Sequence, residues 1–281
     1  MSKIVFCGFG KLGKDCIEDL INNGYQITFI LTHKECLQES VDTLAQTLGI
    51  EYSYLDSRKN LDKLKEKIKS INPDFLISVN YRFILPKEVY SLASYSLNIH
   101  GSLLPKYRGR TPHVWSIING EDESGITCHV IEEAVDKGDI ILQKKIPILH
   151  EDTGYSLLRK FELEYPKILI ESIKKLESGT KLIKQDENLA SYFGKRTSDM
   201  GYIDFRKMAS EVINFVRAQA EPYPGAYYYL IDGRKIIINK IVVEENLELN
   251  IPVGVIQELG NDYFVRCYDY LLKIKDYRVI G

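Results

Sequence analysis

Through residues 1–100 apolar positions arrive in two alternating rhythms. Residues 3–7 form a short continuous apolar run closed by glycines. From 11 to 23, Leu12, Cys16, Ile17, Leu20 and Ile21 recur at helical spacing until Asn23-Gly24 stops them. Residues 26–31 read as a second strand, 41–48 as a helix and 61–70 as a charged amphipathic helix. Residues 75–79, after Pro73-Asp74, read as a third buried strand. Strands separated by helices predict an α/β fold with a doubly wound, mostly parallel sheet, a Rossmann-like arrangement that gathers ligands at the carboxyl ends of its strands.

The rhythm changes downstream. Residues 97–100 form a further short strand, and 125–132 (G-I-T-C-H-V-I-E) alternate cleanly. A long helix is predicted over 152–176, its start suited by Thr153 and neighbouring acids, followed by a polar, irregular stretch to 204. A helix over 211–220 is ended by Glu221-Pro222-Tyr223-Pro224-Gly225. Short strands then follow at 227–231, 235–243, 253–259, 263–268 and 271–277, with turns at Asp232-Gly233 and Gly260-Asn261-Asp262. Two domains are expected: an α/β domain over 1–200 and a small β-rich module over 201–281.

With 281 residues, 44% of them hydrophobic and 27% charged, the chain has the balance of a soluble globular protein. A formal net charge of -2 gives no electrostatic case for nucleic acid. No apolar run approaches the roughly 18 residues of a membrane span, and the N-terminus enters a strand directly, so no membrane association and a cytoplasmic location are expected. Cys7, Cys16, Cys36, Cys128 and Cys267 are scattered, odd in number and without a CxxC pair; reduced structural thiols are expected, and no metal site.

Chemistry concentrates in S-L-N-I-H-G-S-L-L-P-K-Y-R-G, residues 96–109. Period-2 alternation puts Asn98 and His100 on one face of a strand end, where both can address one small group. A second polar cluster offers Glu132, Glu133, Asp136 and Asp139, among which residue chemistry does not choose. An amide, an imidazole and a carboxylate are the parts needed for acyl transfer to an amine: oxyanion donor, proton carrier and orienting base. Ser102 sits at a turn that suits backbone geometry better than nucleophilic attack. His113 and His129 lack comparable neighbours and read as structural or peripheral. Gly8-Phe9-Gly10-Lys11-Leu12-Gly13 is a literal G-x-G-x-x-G between strand and helix. It suits a nicotinamide dinucleotide, another phosphate or a plain tight turn. Glu35 falls near the position of a ribose-binding acid, but Thr32-His33-Lys34 occupy the strand tip.

The run N-I-H-G-S-L-L-P-K-Y-R-G-R, then W-S-I-I-N-G-E, G-I-T-C-H and D-K-G-D-I-I, resembles the folate-dependent formyltransferases, densely from 74 to 148 and again at 195–204 and 217–226. The resemblance implies 10-formyltetrahydrofolate as formyl donor and tetrahydrofolate as product, with no metal. It also implies Asn98 as oxyanion stabiliser, His100 as proton-transferring residue and Asp136, out of the four acids, as its partner. The folate pocket implied comprises Arg82, Phe83, Ile84 and Arg110, with the backbone of Glu132, Glu133, Ala134, Val135 and Asp136.

Within that family the chain is most similar to enzymes formylating an amine on a dTDP-, UDP- or GDP-linked amino deoxy sugar for surface polysaccharide (lipopolysaccharide O-antigen) biosynthesis. Methionyl-tRNA formyltransferase is the alternative, and a nicotinamide-dependent dehydrogenase using residues 8–13 a further one. A non-catalytic folate or sugar-nucleotide binding module is a third. Residues 203–281 carry Glu244, Glu245, Glu248 and Glu258 beside their lysines, without the basic concentration a tRNA asks for. Acceptor contacts are expected from Gly10 and Lys11 at a helix start, and from Ser102, Lys106 and Arg108 after His100. The small C-terminal module is expected to serve structure or homodimer contact, with no share in the chemistry.

Overall fold

The computed structural model describes residues 2–34 and 40–281; Glu35 and Cys36 lie outside the described residues. The chain opens with β1 (Lys3–Gly8), α1 (Gly10–Asn22), β2 (Gln26–Leu31), α2 (Val41–Leu48) and the two-residue β3 (Tyr52–Ser53). It continues with α3 (Leu61–Ile71), β4 (Phe75–Val79), α4 (Lys87–Tyr90), β5 (Tyr95–His100) and β6 (Arg108–Gly109). Then come α5 (Pro112–Ile118), β7 (Glu123–Val130), β8 (Ile140–Pro147), α6 (Gly154–Glu177) and β9 (Tyr192–Phe193). The remainder is α7 (Ala209–Ala218), β10 (Ala226–Tyr229), β11 (Lys235–Val243), β12 (Ile256–Leu259), β13 (Asp262–Arg266) and β14 (Leu271–Ile280).

Seven strands form one sheet in the order β3-β2-β1-β4-β5-β7-β8. Pairing is parallel from β3 through β5, and β7 joins β5 antiparallel. Because β1 lies between β2 and β4, the winding reverses there, and the carboxyl ends of β1 and β4 border the crevice where such sheets hold ligands. Apolar side chains cover the strands: Val5, Cys7, Phe29, Leu31 and Leu76 pack with Leu64 and Ile68 of α3 and with Leu85 and Val89. The predicted face of α1 is the buried one, through Leu12, Cys16, Ile17 and Leu20.

A second sheet, antiparallel in the order β10-β11-β14-β13-β12, carries the C-terminal part. Ile236, Ile238, Val265, Leu272 and Ile274 meet Ala209, Val212 and Val216 of α7 in its core. Contacts gather the chain into two compact units. One takes Met1–Gly109, Gly125–Ile146 and Lys160–Tyr192; the other takes Arg110–Ser124, Pro147–Arg159 and Phe193–Gly281.

The sequence pattern predicts none of β3, α4, β6, α5, β8 and β9, of which α4, β6 and β9 have four residues or fewer. Strand β8 holds the edge of the large sheet, and its middle residues, with Lys144 and Lys145, are exposed. A charged edge strand blunts unwanted pairing, and it also hides the alternation by which strands are recognised. Helix α5 is too short for periodicity, although Pro112 marks its first turn. Strand β3 has two residues and no pattern. Helix α6 begins at Gly154, after reciprocal bonds between the Thr153 and Ser156 backbone and hydroxyl groups. Cys7, Cys16, Cys128 and Cys267 are buried free thiols. Among the described residues no helix is long and apolar enough to cross a membrane.

One close approach bears on the site. The loop from 131 to 139 folds back so tightly that a Cβ at Gly138 would lie 1.8 Å from the Val130 carbonyl oxygen. Both groups are backbone, so neither can yield without moving the loop. Gly138→Ala should therefore destabilise the protein by about 1–3 kcal/mol in denaturant unfolding, the scale of overpacking a tight site. Gly194→Ala, where a Cβ meets nothing within 4 Å, is the control and should be neutral.

Candidate active site

The β5–β7 register sets Asn98 opposite His129 and His100 opposite Thr127. Alternation puts all four on one face of the sheet, at the carboxyl end of β5. The His129 Nδ1–H donates to the Val130 carbonyl at 2.8 Å, since a carbonyl can only accept. Its Nε2 is therefore an acceptor, and it takes a hydrogen bond from the Asn98 amide nitrogen at 3.1 Å. That contact orients Asn98 with a second N–H still to give.

His100 is fixed in the same way. Its Nε2–H donates to the Tyr107 carbonyl at 2.8 Å, which leaves Nδ1 facing Asp136 Oδ1 at 3.6 Å. The same oxygen lies 3.7 Å from His129 Nε2, and Asp136 Oδ2 accepts the Gly109 amide at 2.9 Å. Of the four acids in this loop only Asp136 is buried; Glu132 and Glu133 are exposed and Asp139 half-buried. Tyr107 at φ 59° and Asp136 at φ 58° both occupy the left-handed region, so each partner of His100 sits on a costly backbone conformation.

Burial lowers the His100 imidazole below its ordinary pKa, overcoming the pull of Asp136 and of the Tyr107 carbonyl. Burial pushes the Asp136 carboxyl up, but His100, His129 and the Gly109 amide prevail and hold it at about 2. Near neutrality the pair is thus a neutral imidazole, lone pair on Nδ1, beside a carboxylate. Such a group can accept a proton at Nδ1 and share the resulting charge between the carboxylate and the Tyr107 carbonyl.

The turn after His100 is pinned throughout. Ser102 Oγ donates to the Lys106 carbonyl at 2.6 Å, and Thr127 Oγ1 donates to the Ser102 carbonyl at 2.6 Å. Gln143 bonds the Leu104 carbonyl and Thr127 Oγ1, and the Tyr107 amide donates to Ser191 Oγ. Two expected acceptor contacts are thereby employed elsewhere. Ser102 is buried with its hydroxyl tied into the turn. Arg108 is 1% exposed, its guanidinium forked onto Glu187 and bonded to Gln185 and Tyr192. It braces the loop and is not presented to a ligand. Lys106 is exposed.

At the crevice between β1 and β4 the glycine loop is joined to the next strand: the Phe9 amide donates to the Val79 carbonyl, and Asn80 Nδ2 to the Phe9 carbonyl. Gly10 begins α1 at φ 65°, which favours glycine. Lys11 is ion-paired with Asp15 at 2.7 Å. The Arg82 guanidinium lies over the Phe9 ring at 3.6 Å, its amide donates to His33 Nε2, and His33 contacts Phe9, Tyr81 and Phe83. Ile84 and Val135 are apolar and more than half exposed, and their neighbours Leu85 and Ile131 pack in one hydrophobic cluster. Arg110 belongs to the other compact unit; its side chain is exposed and its amide donates to the Phe193 carbonyl.

His129, structural or peripheral by its sequence neighbours, lies against both Asn98 and Asp136. The alternation of G-I-T-C-H-V carried half the signal, but the register against β5 that brings it there is not written locally. His113 is the structural histidine expected: it bonds the Tyr223 hydroxyl at 2.9 Å, and burial lowers it to about 4.

Asn98 and His100 at the end of β5, with the buried Asp136 carboxylate from the loop after β7, assemble an oxyanion donor, a proton carrier and its partner, the parts of an acyl-transfer site. The chain belongs to the formyl transferase family: residues 2–173 match its formyl transferase domain and residues 195–281 its C-terminal domain. It is 32% identical to the methionyl-tRNA formyltransferase of Caldanaerobacter subterraneus subsp. tengcongensis, over 99% of this chain and 93% of that protein. An N-formyltransferase from Helicobacter canadensis, solved with folinic acid and dTDP-3-aminofucose, superposes with a TM-score of 0.78 at 22% identity, covering 98% of this chain and 99% of that one. A sugar 3N-formyl transferase solved with dTDP and 5-N-formyl-THF gives a TM-score of 0.76 at 23% identity, covering 98% and 97%. Family membership removes the reason to read residues 8–13 as a dehydrogenase loop.

His100→Ala and Asp136→Asn should each lower kcat by orders of magnitude, and the double variant should be little worse than either, because Asp136 matters mainly through His100. Since burial lowers His100, kcat/KM should rise with pH through a midpoint below 6.5, the value of an unburied imidazole. Losses that multiply in the double variant, or a midpoint above 6.5, would contradict this pairing.

Proposed function

We propose that this formyltransferase moves a formyl group from 10-formyltetrahydrofolate to the amine of a nucleotide-linked amino deoxy sugar, within surface polysaccharide biosynthesis. The observation that carries the acceptor class is the charge and structure of the relevant elements. Residues 201–281 form a tyrosine-rich antiparallel sheet with acids interspersed among its lysines, and the lysines of the glycine-loop helix, Lys11 and Lys14, are paired with Asp15 and Glu18. A tRNA acceptor needs several unpaired cations to neutralise its phosphates. A single diphosphate needs only a few N–H donors, which the start of α1 at Gly10 and Lys11 offers. Two structural relatives solved with dTDP or a dTDP-sugar support the same reading.

The residues fit a folate donor. Ile84 and Val135 give two exposed apolar groups, and the backbone from Glu132 to Asp136, apart from the bonded Ala134 and Asp136 carbonyls, gives amides and carbonyls for a flat heterocycle. The donor supplies a formyl group already activated for transfer. Asn98, held by His129, offers its second N–H to the formyl oxygen as negative charge develops there; loss of such a donor costs roughly 10²–10³ in rate. His100 Nδ1 receives the proton of the attacking amine, which must arrive unprotonated because an ammonium has no lone pair. Asp136 and the Tyr107 carbonyl hold the imidazolium so formed until it returns the proton to the leaving nitrogen.

Methionyl-tRNA is the second reading, favoured by the 32% identity to that enzyme. Incubation with 10-formyltetrahydrofolate and thymidine-, uridine- and guanosine-diphosphate amino sugars, followed by mass spectrometry, should show formylation of a 3- or 4-amino sugar and not of methionyl-tRNA. Formylated methionyl-tRNA with every amino sugar inert would reverse the choice of acceptor and leave formyl transfer standing. A shallow salt dependence of the acceptor KM is expected of one diphosphate, a steep one of a polyanion.

A further inference from the structure

We propose that Gln185 is a positioning residue for formyl transfer, holding in register the two loops that supply His100 with its partners. The proposal rests on His100 and Asp136 being the reacting pair. One loop, after β5, presents the Tyr107 carbonyl; the other, after β7, presents the Asp136 carboxylate. Gln185 stands between them. Its Oε1 accepts from Arg108 Nε at 3.2 Å and Nη2 at 2.7 Å, and its Nε2 donates to the Asp136 carbonyl at 2.9 Å and the Gly138 carbonyl at 2.8 Å. An amide side chain has two donor hydrogens and two acceptor lone pairs, so every hydrogen-bonding capacity of Gln185 is spent on this bridge.

The saturation distinguishes a positioning device from general glue. Arg108 follows directly on Tyr107, so the acceptor half of Gln185 fixes the residue next to one partner. The donor half grips the other partner's own backbone, where Asp136 sits at φ 58°. Neither loop can shift without breaking two bonds at one amide. The strip carrying Gln185 is itself anchored, because Ile183 and Ile140 exchange backbone bonds of 2.8 and 2.9 Å, and Glu187 braces Arg108. At 3.6 Å, His100 Nδ1 and Asp136 Oδ1 stand just beyond hydrogen-bond reach, so a small displacement decides whether they meet when a proton arrives. Misplacement by ~1 Å at a reacting centre costs about 10²-fold in rate.

Two substitutions separate the halves of the bridge. Gln185→Met removes all four bonds at similar volume; Gln185→Glu keeps the acceptors for Arg108 and turns oxygen against the two carbonyls. With 10-formyltetrahydrofolate and a dTDP-linked amino sugar, each should lose about 10–100-fold in kcat. KM for the amino sugar should stay within about threefold, while KM for the folate, whose proposed pocket uses the 132–136 backbone that Gln185 holds, should rise. Combined with Asp136→Asn, which should itself be nearly inactive, Gln185→Met should cost little more. A nitrogen-15 histidine titration needs no acceptor: in Gln185→Met the His100 midpoint should move down by about one unit as the carboxylate drifts from it. Should Gln185→Met fail to fold, Gln185→Glu carries the kinetic arm alone.

The outcomes separate the readings. A wild-type enzyme inert on amino sugars removes the acceptor class, and the titration then decides on Gln185. Full activity of Asp136→Asn removes the reacting pair and Gln185 with it. An inactive Asp136→Asn beside unchanged kcat in both Gln185 variants, losses that multiply in the double variant, or an unmoved or raised His100 midpoint overturns Gln185 alone.

Discussion

The site is governed by the cost of keeping an imidazole and a carboxylate out of water at less than a hydrogen bond's slack from one another. His100, His129 and Asp136 are all buried, and a buried charge without partners costs several kcal/mol. The surrounding backbone exists to meet that cost. The Tyr107 carbonyl takes one imidazole N–H, and the Gly109 amide takes one carboxylate oxygen. Both partners lie on loops, and loops do not hold such groups unaided. Hence the density of side-chain bonds to backbone here: Ser102, Thr127, Gln143 and Ser191 on the first loop, Gln185 across both. Left-handed φ at Tyr107 and Asp136, and a glycine at 138 that admits no Cβ, are the strain this arrangement stores.

The same burial sets the chemistry. In water an imidazole beside a carboxylate would gain basicity and wait protonated, useless as a base. Here dehydration outweighs the carboxylate, so His100 is free of its proton near neutrality while Asp136 keeps its charge. In the proposed mechanism the carboxylate then acts where it is needed, on the imidazolium formed in the reaction. His129 performs the corresponding service for Asn98. With Nδ1–H committed to a carbonyl, its Nε2 can only accept, and that forces the Asn98 amide nitrogen toward it. The amide is thereby kept from flipping, as the proposed oxyanion role of Asn98 asks.

What could be read from the chain follows from which interactions are local. The strand-helix alternation of residues 1–100, the buried face of α1, the turn glycines and the Asn98–His100 spacing are local patterns, and the structure reproduces them. Choosing among Glu132, Glu133, Asp136 and Asp139 needed either a family resemblance or the burial that now singles out Asp136. His129 depended on a strand register, which is a non-local quantity. The run Lys106-Tyr107-Arg108 reads as cationic because sequence shows charge and not exposure; Glu187 and Gln185, far along the chain, convert Arg108 into a buried brace. Gln185 itself lies in the stretch that looked irregular. Irregular backbone carries no periodicity, and here it carries a side chain that bonds both loops flanking His100.

An identity of 32% to one tRNA enzyme, beside 22% and 23% to two structurally similar sugar enzymes, does not by itself choose the acceptor. The two formyl transferase domains together span most of the chain, so identity spread over it reports family membership and not the acceptor. Acceptor choice rests on few positions, where charge that is free for a ligand counts and total charge does not. At the glycine loop the cations are already spent: Lys11 lies on Asp15, and Lys14 on Glu18 one turn further along α1. In the proposed acceptor site a phosphate would meet backbone amides and a helix dipole there, enough for a diphosphate and poorly matched to a polyanion whose binding scales with the number of cations it can recruit. A small acceptor also agrees with a dry base at His100, which works best on an amine that can be delivered without its proton and without a retinue of water.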